Sequence, residues 1–271
     1  MQKISKLNAP ALAGVIREKN VQSAIAEIKN CNFDGADMID LHLSCLEELT
    51  EENVKRIVSS SKLPILALNY NCKYDWSHAG FDEQERTDSL LLAARAGAAG
   101  IDMQGYSFDH KSKDGFFGED KYSFTKGNPK EIVTDSEIIS KQCDFIEKIH
   151  LQGAEVLLSC HPGIAMSCEQ VVDLALFLEK RNPNIIKIVT RADNEDELIE
   201  SIKTMSVLKR ELKTPVSYHA AGPAGSLSRI INPILGGQII FCVDRYSESS
   251  TMEQLDLKTV RSIIDNMKKL K

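Results

Sequence analysis

The chain has 271 residues, of which 42% are hydrophobic, so it can bury a packed core and is not disordered as a whole. Lysine and arginine total 33 and aspartate and glutamate total 39, which gives a formal net charge of −6. A mildly acidic chain with scattered charges lacks the basic surface that nucleic-acid binding requires, so no nucleic-acid partner is expected. No run of about 18 apolar residues occurs and the N-terminal residues lack the apolar core of a signal peptide, so no membrane association is predicted.

The cysteines are odd in number and scattered, without a Cys-x-x-Cys pair. This usage is typical of a reduced, cytoplasmic protein and not of a disulfide framework or a zinc ribbon. The seven positions are Cys31, Cys45, Cys72, Cys143, Cys160, Cys168 and Cys242.

Short apolar segments alternate with segments of helical periodicity along the whole chain. Apolar residues recur at steps of three and four at Leu257, Val260 and Ile264, which predicts a helix, and Thr134 with Glu137 has the spacing of a capping box. Eight strands are predicted, at Ala11–Ile16, Asp37–Leu43, Pro64–Asn69, Gly100–Gln104, Ala154–Cys160, Ile185–Val189, Pro215–His219 and Gln238–Val243.

Eight strand–helix units in a chain of this length are typical of a (β/α)8 TIM barrel, an α/β fold. A doubly wound open sheet is the alternative. That fold usually has a glycine-rich phosphate-binding turn after its first strand, whereas Arg17-Glu18-Lys19-Asn20 follow the first strand here. No linker rich in proline, glycine or serine is present, so residues 1–271 are predicted to form a single barrel domain.

The segment 105–128 is long, rich in aromatic residues and glycine, and follows the fourth predicted strand. In a barrel this position lies on the catalytic face, where long ordered loops are often lids. A variable surface insertion has the same pattern, so both interpretations stay open.

The active-site groups of a barrel lie at the carboxyl ends of its strands and point inward. Alternation along the second predicted strand puts Asp40 and His42 on one face and the apolar residues on the other. A carboxylate and an imidazole that face a core are costly unless they are paired or line a site. His161 ends the fifth strand and His219 the seventh, and both are candidates, although a lone histidine at a strand end is also common as a structural group.

Lys187 is flanked by four branched apolar residues in the sixth predicted strand. Its ammonium is hard to hydrate there, which favours the free amine, a nucleophile toward a ketone. The resulting iminium ion withdraws electrons from the adjacent carbon. A structural lysine that reaches a carboxylate at the barrel mouth is the alternative. Arg229, at the start of a predicted helix, is either an anion-binding group or part of a surface ion pair.

Several spaced motifs follow one another in the second half of the chain: Ser159-Cys160-His161, Lys187-Ile188-Val189, Gly225-Ser226-Leu227-Ser228-Arg229, and Ser250 with Gln254. Their order and spacing resemble the Ser-Tyr-His, Lys-Ile-Ala, Gly-x-x-Ser-Arg and Ser-x-x-x-Gln motifs of the type I 3-dehydroquinate dehydratases. The resemblance extends from about residue 154 to the C-terminus. Toward the N-terminus only the strand order and the segment Gly35–Asp40 are still similar.

The resemblance implies a lyase of the shikimate pathway that removes water from 3-dehydroquinate through a lysine Schiff base. Lys187 would condense with the ketone of this small keto acid, and His161 would act as general base and acid. Arg229, with Ser250 and Gln254, would hold the substrate carboxylate. It also implies a homodimer, and neither a metal nor an organic cofactor, because the lysine supplies the electron sink.

The chain departs from the family where the substrate hydroxyls are held. Asp40-Leu41-His42 stands in place of Glu-x-Arg on the second strand, and Asn69-Tyr70 in place of an arginine after the third. His219 stands where the family tends to have methionine, and the glutamate that orients the catalytic histidine has no match, Asp75 being the nearest acid. Polar contacts of this kind are worth ~1–3 kcal/mol each. Asp40, His42 and His219 are therefore predicted to bind substrate, and the same dehydratase or aldolase chemistry on another hydroxylated keto acid is an alternative.

Three further hypotheses come from other classes of protein. Asp40, His42, His161 and His219 could together bind a divalent metal ion, although no close ligand spacing favours it. A barrel that binds a ligand without catalysis is the second hypothesis. A sugar-phosphate aldolase is the third, since Gly222 and Gly225 follow the seventh strand, where barrels often bind phosphate. Gly236 and Gly237 instead precede the eighth strand, where tight packing explains them.

Overall fold

The computed structural model describes residues 2–70, 83–109, 131–247, 250 and 253–269. The chain divides into two compact units: a first unit of residues 1–101, 152–155 and 239–271, and a second unit of residues 102–151 and 156–238. The single domain over residues 1–271 stays a prediction. In the described part of the chain, no helix is long and apolar enough to cross a membrane.

Strands and helices alternate along the described residues. The strands are β1 (Ala11–Ile16), β2 (Met38–His42), β3 (Ile65–Leu68), β4 (Gly100–Gln104), β5 (Glu155–Cys160), β6 (Ile185–Arg191), β7 (Val216–Ala221), β8 (Ile239–Val243) and β9 (Leu255–Asp256). The helices are α1 (Val21–Phe33), α2 (Glu51–Val58), α3 (Glu83–Arg95), α4 (Ser136–Leu151), α5 (Cys168–Glu179), α6 (Glu195–Glu211), α7 (Ser228–Leu235) and α8 (Leu257–Lys268).

In the first unit, the strands form a parallel sheet. β1 lies between β2 and β8, β2 also pairs with β3, and β8 also pairs with β9. Pairing of the eighth strand with the first is how a (β/α)8 sheet closes on itself. Both faces of β1, β2, β3 and β8 are buried, which explains their nearly continuous apolar sequences. The fold class is therefore (β/α)8, as predicted.

In the second unit, β5, β6 and β7 are parallel neighbours. Lys187 on β6 lies opposite Ser159 on β5 and Ser217 on β7. Residues opposite one another in a parallel pair lie on the same face of the sheet, so these three side chains share a face. The strand order brings the ends of β5, β6 and β7, which carry most of the family motifs, side by side.

The helix starts follow capping chemistry, with one correction to the sequence analysis. The capping box predicted at Thr134 and Glu137 is wrong: Asp135 caps α4, because its carboxylate accepts the backbone N–H of Glu137 at 2.9 Å and of Ile138 at 3.1 Å. A true capping box begins α5, where the Ser167 side chain and the Gln170 side chain each bond the other's backbone.

Candidate functional site

Lys187 is buried beside a carboxylate in the second unit. Lys187 is 7% exposed, and its Nζ lies 3.5 Å from Oδ2 of Asp102, which is fully buried. For a lysine with only a structural role, the predicted partner is a carboxylate at the barrel mouth. The carboxylate that Lys187 contacts is Asp102, which lies within β4. A buried carboxylate at this distance stabilises any positively charged form of the nitrogen, which includes both an ammonium and an iminium.

Asp102 is itself held by a second hydrogen bond. Ser159, opposite Lys187 in the sheet, donates its hydroxyl to Oδ1 of Asp102 at 2.6 Å. The carboxylate thus bridges a hydroxyl and an amine, which fixes its orientation. Neither Asp102 nor Ser159 was predicted from the sequence as a site residue. The rule that identified Asp40, a carboxylate within an apolar strand, also applies to Asp102 and could have found it.

His161 follows β5 and is paired with Glu131. Its Nδ1 lies 2.7 Å from Oε2 of Glu131, and the same oxygen accepts the His161 backbone N–H at 2.7 Å. An ionised carboxylate can only accept, so Nδ1 carries a hydrogen in this pair, and in the neutral form of the ring the lone pair is on Nε2. With 23% of its side chain exposed, His161 can reach a ligand. This arrangement is suited to a general base that is oriented by a carboxylate.

Glu131 is the acid that contacts His161, for which no residue was predicted from the sequence. Asp75, the nearest acid considered, lies outside the described residues. Glu131 adopts a left-handed backbone, with φ 68°, which is strained for a residue other than glycine. Buried contacts hold it: Cys160 Sγ donates to its carbonyl oxygen at 3.1 Å, and a Cβ on Gly105 would lie 2.6 Å from that oxygen. Burial raises the pKa of the Cys160 thiol well above its usual value, so it remains a donor.

His219 on β7 is a buried, uncharged imidazole. It is 6% exposed, and burial lowers its pKa well below the usual histidine value. The positive charges of Arg229, Lys187 and His161 lower that pKa further. Arg229, Lys187 and His161 therefore lie close enough to His219 for their charges to lower its pKa. The structure brings Lys187, His161, Arg229 and His219 together in the second unit.

The Gly-x-x-Ser-Arg motif forms the connection from β7 to α7. Ser228 accepts the Ala220 backbone N–H at 2.8 Å and donates its hydroxyl to the Gly225 carbonyl at 2.6 Å, which anchors the partly buried Arg229 next to it. Packing also explains the glycines. A Cβ on Gly225 would lie 2.6 Å from the Ala220 oxygen, and Gly222 has φ 94°. The glycines therefore give the phosphate hypothesis no support of their own.

In the first unit, Asp40 and His42 form a buried pair at the end of β2. The His42 Nε2 lies 3.4 Å from Oδ2 of Asp40, and both side chains are under 5% exposed. The Tyr70 ring packs edge-on against the imidazole with centroids 6.2 Å apart. The other carboxylate oxygen of Asp40 is buried and has no hydrogen-bond partner among the described residues. This pair is consistent with the prediction that Asp40 and His42 lie on the same face of the strand and are paired or line a site.

Asn69 after β3 does not replace the missing arginine. Its side-chain amide donates to Ser89 Oγ at 2.8 Å, and its backbone carbonyl accepts a hydrogen bond from the Arg86 guanidinium at 3.1 Å. Arg86 has no exposure and forms a two-point ion pair with Glu83. The buried guanidinium near β3 is therefore engaged in holding α3 to the strand.

Ser250 and Gln254 lie on the segment after β8, in the first unit. Ser250 Oγ accepts the Ser247 backbone N–H at 2.9 Å, and the Tyr246 hydroxyl donates to the Gln254 carbonyl at 2.7 Å. The Gln254 side-chain oxygen is buried, and no group in the described ranges bonds it. Of the proposed lid, residues 105–109 are described and 110–128 lie outside the described residues.

A metal centre has no ready ligand set in the part of the chain that the structure describes. There, no group of three or more His, Cys, Asp or Glu side chains is arranged to hold an ion. Asp40 and His42 lie in the first unit, whereas His161 and His219 lie in the second. His161 already uses Nδ1 for Glu131.

Fold and site together define a (β/α)8 protein with a buried lysine–carboxylate pair next to a histidine–carboxylate pair. A model of the family described as "Type I 3-dehydroquinase" matches residues 131–271, and the chain belongs to this family. The match contains the four motifs of the second half of the chain on which the sequence resemblance was based, from Ser159 to Gln254.

Known relatives are distant. The chain is 23% identical over 260 residues to the chloroplastic bifunctional 3-dehydroquinate dehydratase/shikimate dehydrogenase of Arabidopsis thaliana; the match covers 95% of this chain but 37% of that protein, just over a third of its length. It is 20% identical over 246 residues to 3-dehydroquinate dehydratase of Methanobrevibacter smithii, covering 90% of each. The crystal structure of 3-dehydroquinate dehydratase from Geobacillus kaustophilus has a TM-score of 0.76 at 13% identity, covering 99% of this chain and 96% of that chain, a similarity of fold.

Proposed function

We propose that this protein is a carbon–oxygen lyase that dehydrates 3-dehydroquinate through a Schiff base on Lys187. The observation that supports this best is the pairing of Lys187 with Asp102 next to the pairing of His161 with Glu131, on neighbouring strands. One pair offers an amine whose charged forms are stabilised. The other offers an oriented base, which the abstraction of a proton beside an iminium requires.

The proposed reaction begins when the neutral Lys187 amine adds to the ketone carbon. Loss of water from the adduct forms the iminium, whose positive charge the Asp102 carboxylate stabilises. His161 Nε2 removes a proton from the carbon beside the iminium, and the electron pair moves toward nitrogen. Expulsion of the hydroxyl on the next carbon, protonated by His161, returns that pair and forms the carbon–carbon double bond. Hydrolysis of the iminium releases the unsaturated ketone and restores the amine.

The carboxylate of the substrate is proposed to bind Arg229, with Ser250 and Gln254 as further hydrogen-bonding groups. Arg229 is anchored by Ser228, and a guanidinium binds a carboxylate through two parallel hydrogen bonds. Asp40, His42 and His219 are proposed to contact substrate hydroxyls. Oxygens of Asp40 and Gln254 that have no partner among the described residues support a polar ligand, since a buried polar atom is costly without a partner.

Borohydride trapping tests the proposal directly. Wild-type protein is incubated with 3-dehydroquinate and borohydride, and intact mass and peptide mapping then locate the adduct. We expect one stable adduct, on Lys187, and none in Lys187→Met. The control is Lys203→Met, which removes a lysine whose side chain is 65% exposed and is expected to leave trapping unchanged. Equal labelling of the Lys187→Met protein would refute the assignment, and mapping of the wild-type adduct decides it even if that variant misfolds.

The second candidate is the same chemistry on a different hydroxylated keto acid. The buried Asp40–His42 pair favours it, because these residues stand where the family has Glu-x-Arg. Trapping with a panel of hydroxylated keto acids separates the two: an adduct with another acid but none with 3-dehydroquinate supports this second function.

A homodimer, a cytoplasmic location and a single domain over residues 1–271 complete the proposal. They follow from the family resemblance, the cysteine usage and the lack of a linker. Light scattering of the purified protein measures the dimer directly, and a monomeric mass at micromolar concentration would contradict it.

A further inference from the structure

His219 is a buried polar side chain that has no hydrogen-bond partner among the described residues. It is 6% exposed, and in the ranges that the structure describes neither ring nitrogen forms a hydrogen bond or an ion pair. Buried polar groups nearly always have a partner in the protein, in water or in a ligand. An imidazole in this state is suited to a ligand that completes its hydrogen bonds.

The strand register and the charges around it place His219 near two groups of the proposed site. Ser217 lies opposite Lys187, so His219 lies two residues farther along β7 on the same face. The next residue, Ala220, donates its backbone N–H to Ser228 at 2.8 Å, and Arg229 follows Ser228 directly. His219 thus lies on the face of β7 that the amine proposed to bond a ketone also shares, one residue before the backbone group that anchors the turn carrying Arg229, whose guanidinium is proposed to bind a carboxylate.

The charges around His219 determine which role it can have. Burial, and then the positive charges of Arg229, Lys187 and His161, keep its pKa well below the usual histidine value. His161, by contrast, has the Glu131 carboxylate to stabilise an imidazolium. At neutral pH, His219 therefore donates one N–H and accepts at its other nitrogen, but does not supply a proton as an acid. This is the behaviour of a group that recognises a ligand.

We propose that His219 hydrogen-bonds a hydroxyl group on the carboxylate-bearing carbon of the substrate, between that carboxylate and the ketone. The inference rests on the proposed function, in which this hydroxyl is the leaving group. It assigns His219 to that hydroxyl, which stands on the carbon β to the ketone. A polar site that loses its hydroxyl partner discriminates by roughly 10- to 100-fold or more.

Two ring acids test this inference by equilibrium binding. Quinate carries a hydroxyl on its carboxylate-bearing carbon, and 1-deoxyquinate is the same ring acid without it. Calorimetry on wild type is expected to give a dissociation constant at least about tenfold lower for quinate. The ratio is expected to fall to about one in His219→Met, which keeps bulk but offers no comparable donor, and to be largely retained in His219→Gln. Tyr218→Phe is the matched control, because Tyr218 faces the opposite side of β7, where its hydroxyl contacts Thr190.

Each outcome decides one point. An equal affinity of wild type for the two acids, or an unchanged ratio in His219→Met, overturns the role of His219. A loss of affinity in His219→Met that is the same for both acids indicates a structural role and also overturns it. The absence of a borohydride adduct in wild type refutes the proposed function, and this inference with it. An adduct with an unchanged ratio refutes the role of His219 alone.

Discussion

Two buried carboxylates determine what the basic residues of the second unit can do. Asp102 lies 3.5 Å from Lys187, and Glu131 lies 2.7 Å from His161. Removing one partner of a buried pair leaves a charge without compensation, which is far more costly than losing an exposed pair. The acids are therefore as important as the bases, although neither acid bonds substrate in the proposed reaction.

Replacement of Glu131 by glutamine tests this at the level of one residue. The amide oxygen can still accept the His161 N–H, but the negative charge that stabilises an imidazolium is lost. We expect kcat for 3-dehydroquinate to fall on the order of 10²-fold, with the dissociation constant of quinate nearly unchanged. Steady-state kinetics and calorimetry measure the two quantities.

The control for Glu131→Gln is Glu137→Gln, an exposed glutamate at the start of α4. It changes the net charge equally and is expected to leave kcat unchanged. A Glu131→Gln protein with wild-type kcat would show that His161 does not need a carboxylate partner.

At the scale of elements, the connection from β7 to α7 positions Arg229 through backbone contacts. Gly225 lies against the Ala220 carbonyl, and Ser228 ties the first turn of α7 to the end of β7. The position of the guanidinium therefore depends on how closely two backbone segments approach. A side chain at position 225 would separate them.

We expect Gly225→Ala to disturb both stability and binding. The added Cβ would lie 2.6 Å from the Ala220 oxygen, so the backbone must shift. The free energy of unfolding should fall by about 1–3 kcal/mol, and the dissociation constant of quinate should rise about tenfold as Arg229 moves. Urea unfolding and calorimetry check these values. The exposed neighbour Ser226→Ala is the control, and equal effects of the two changes would contradict the packing argument.

At the scale of the whole molecule, an acidic group in the first unit links stability to pH. Burial, and then a hydrogen bond with Asp34, raise the pKa of Asp244 from 3.8 to about 6. The negative charges of Glu27 and Asp34 contribute to the same rise, and Arg245 partly opposes it. Because the folded protein binds this proton more tightly than the unfolded chain, the stabilisation is complete below pH 3.8 and is lost as pH rises toward about 6.

Asp244→Asn, which imitates the protonated acid, is therefore expected to be more stable than wild type above pH 6 and equal to it near pH 4. The difference at pH 8 should be no more than about 2 kcal/mol, since solvent and Arg245 screen the charge. Urea unfolding at both pH values measures it. A stability difference that does not depend on pH would refute the linkage.

The fold could be predicted because its strands are short, apolar and buried on both faces. Each of the eight predicted strands is present, with ends within two residues of those expected. β6 and β7 continue beyond their predicted ends through Arg191 and Ala221, where pairing with each other extends the ladder. The two residues of β9 have no pattern of their own and become a strand only by pairing with β8.

The residues of the site also divide into those that the sequence predicts and those that only the structure shows. The sequence by itself determined the fold class and the basic side chains at the strand ends, because alternation and motif spacing are local properties of the chain. Only the tertiary structure decided which acids serve them. Glu131 is 30 residues from His161 and Asp102 is 85 residues from Lys187, and strand register together with a strained turn brings each pair into contact. No periodicity connects residues that far apart, because their distance depends on how the strands pair.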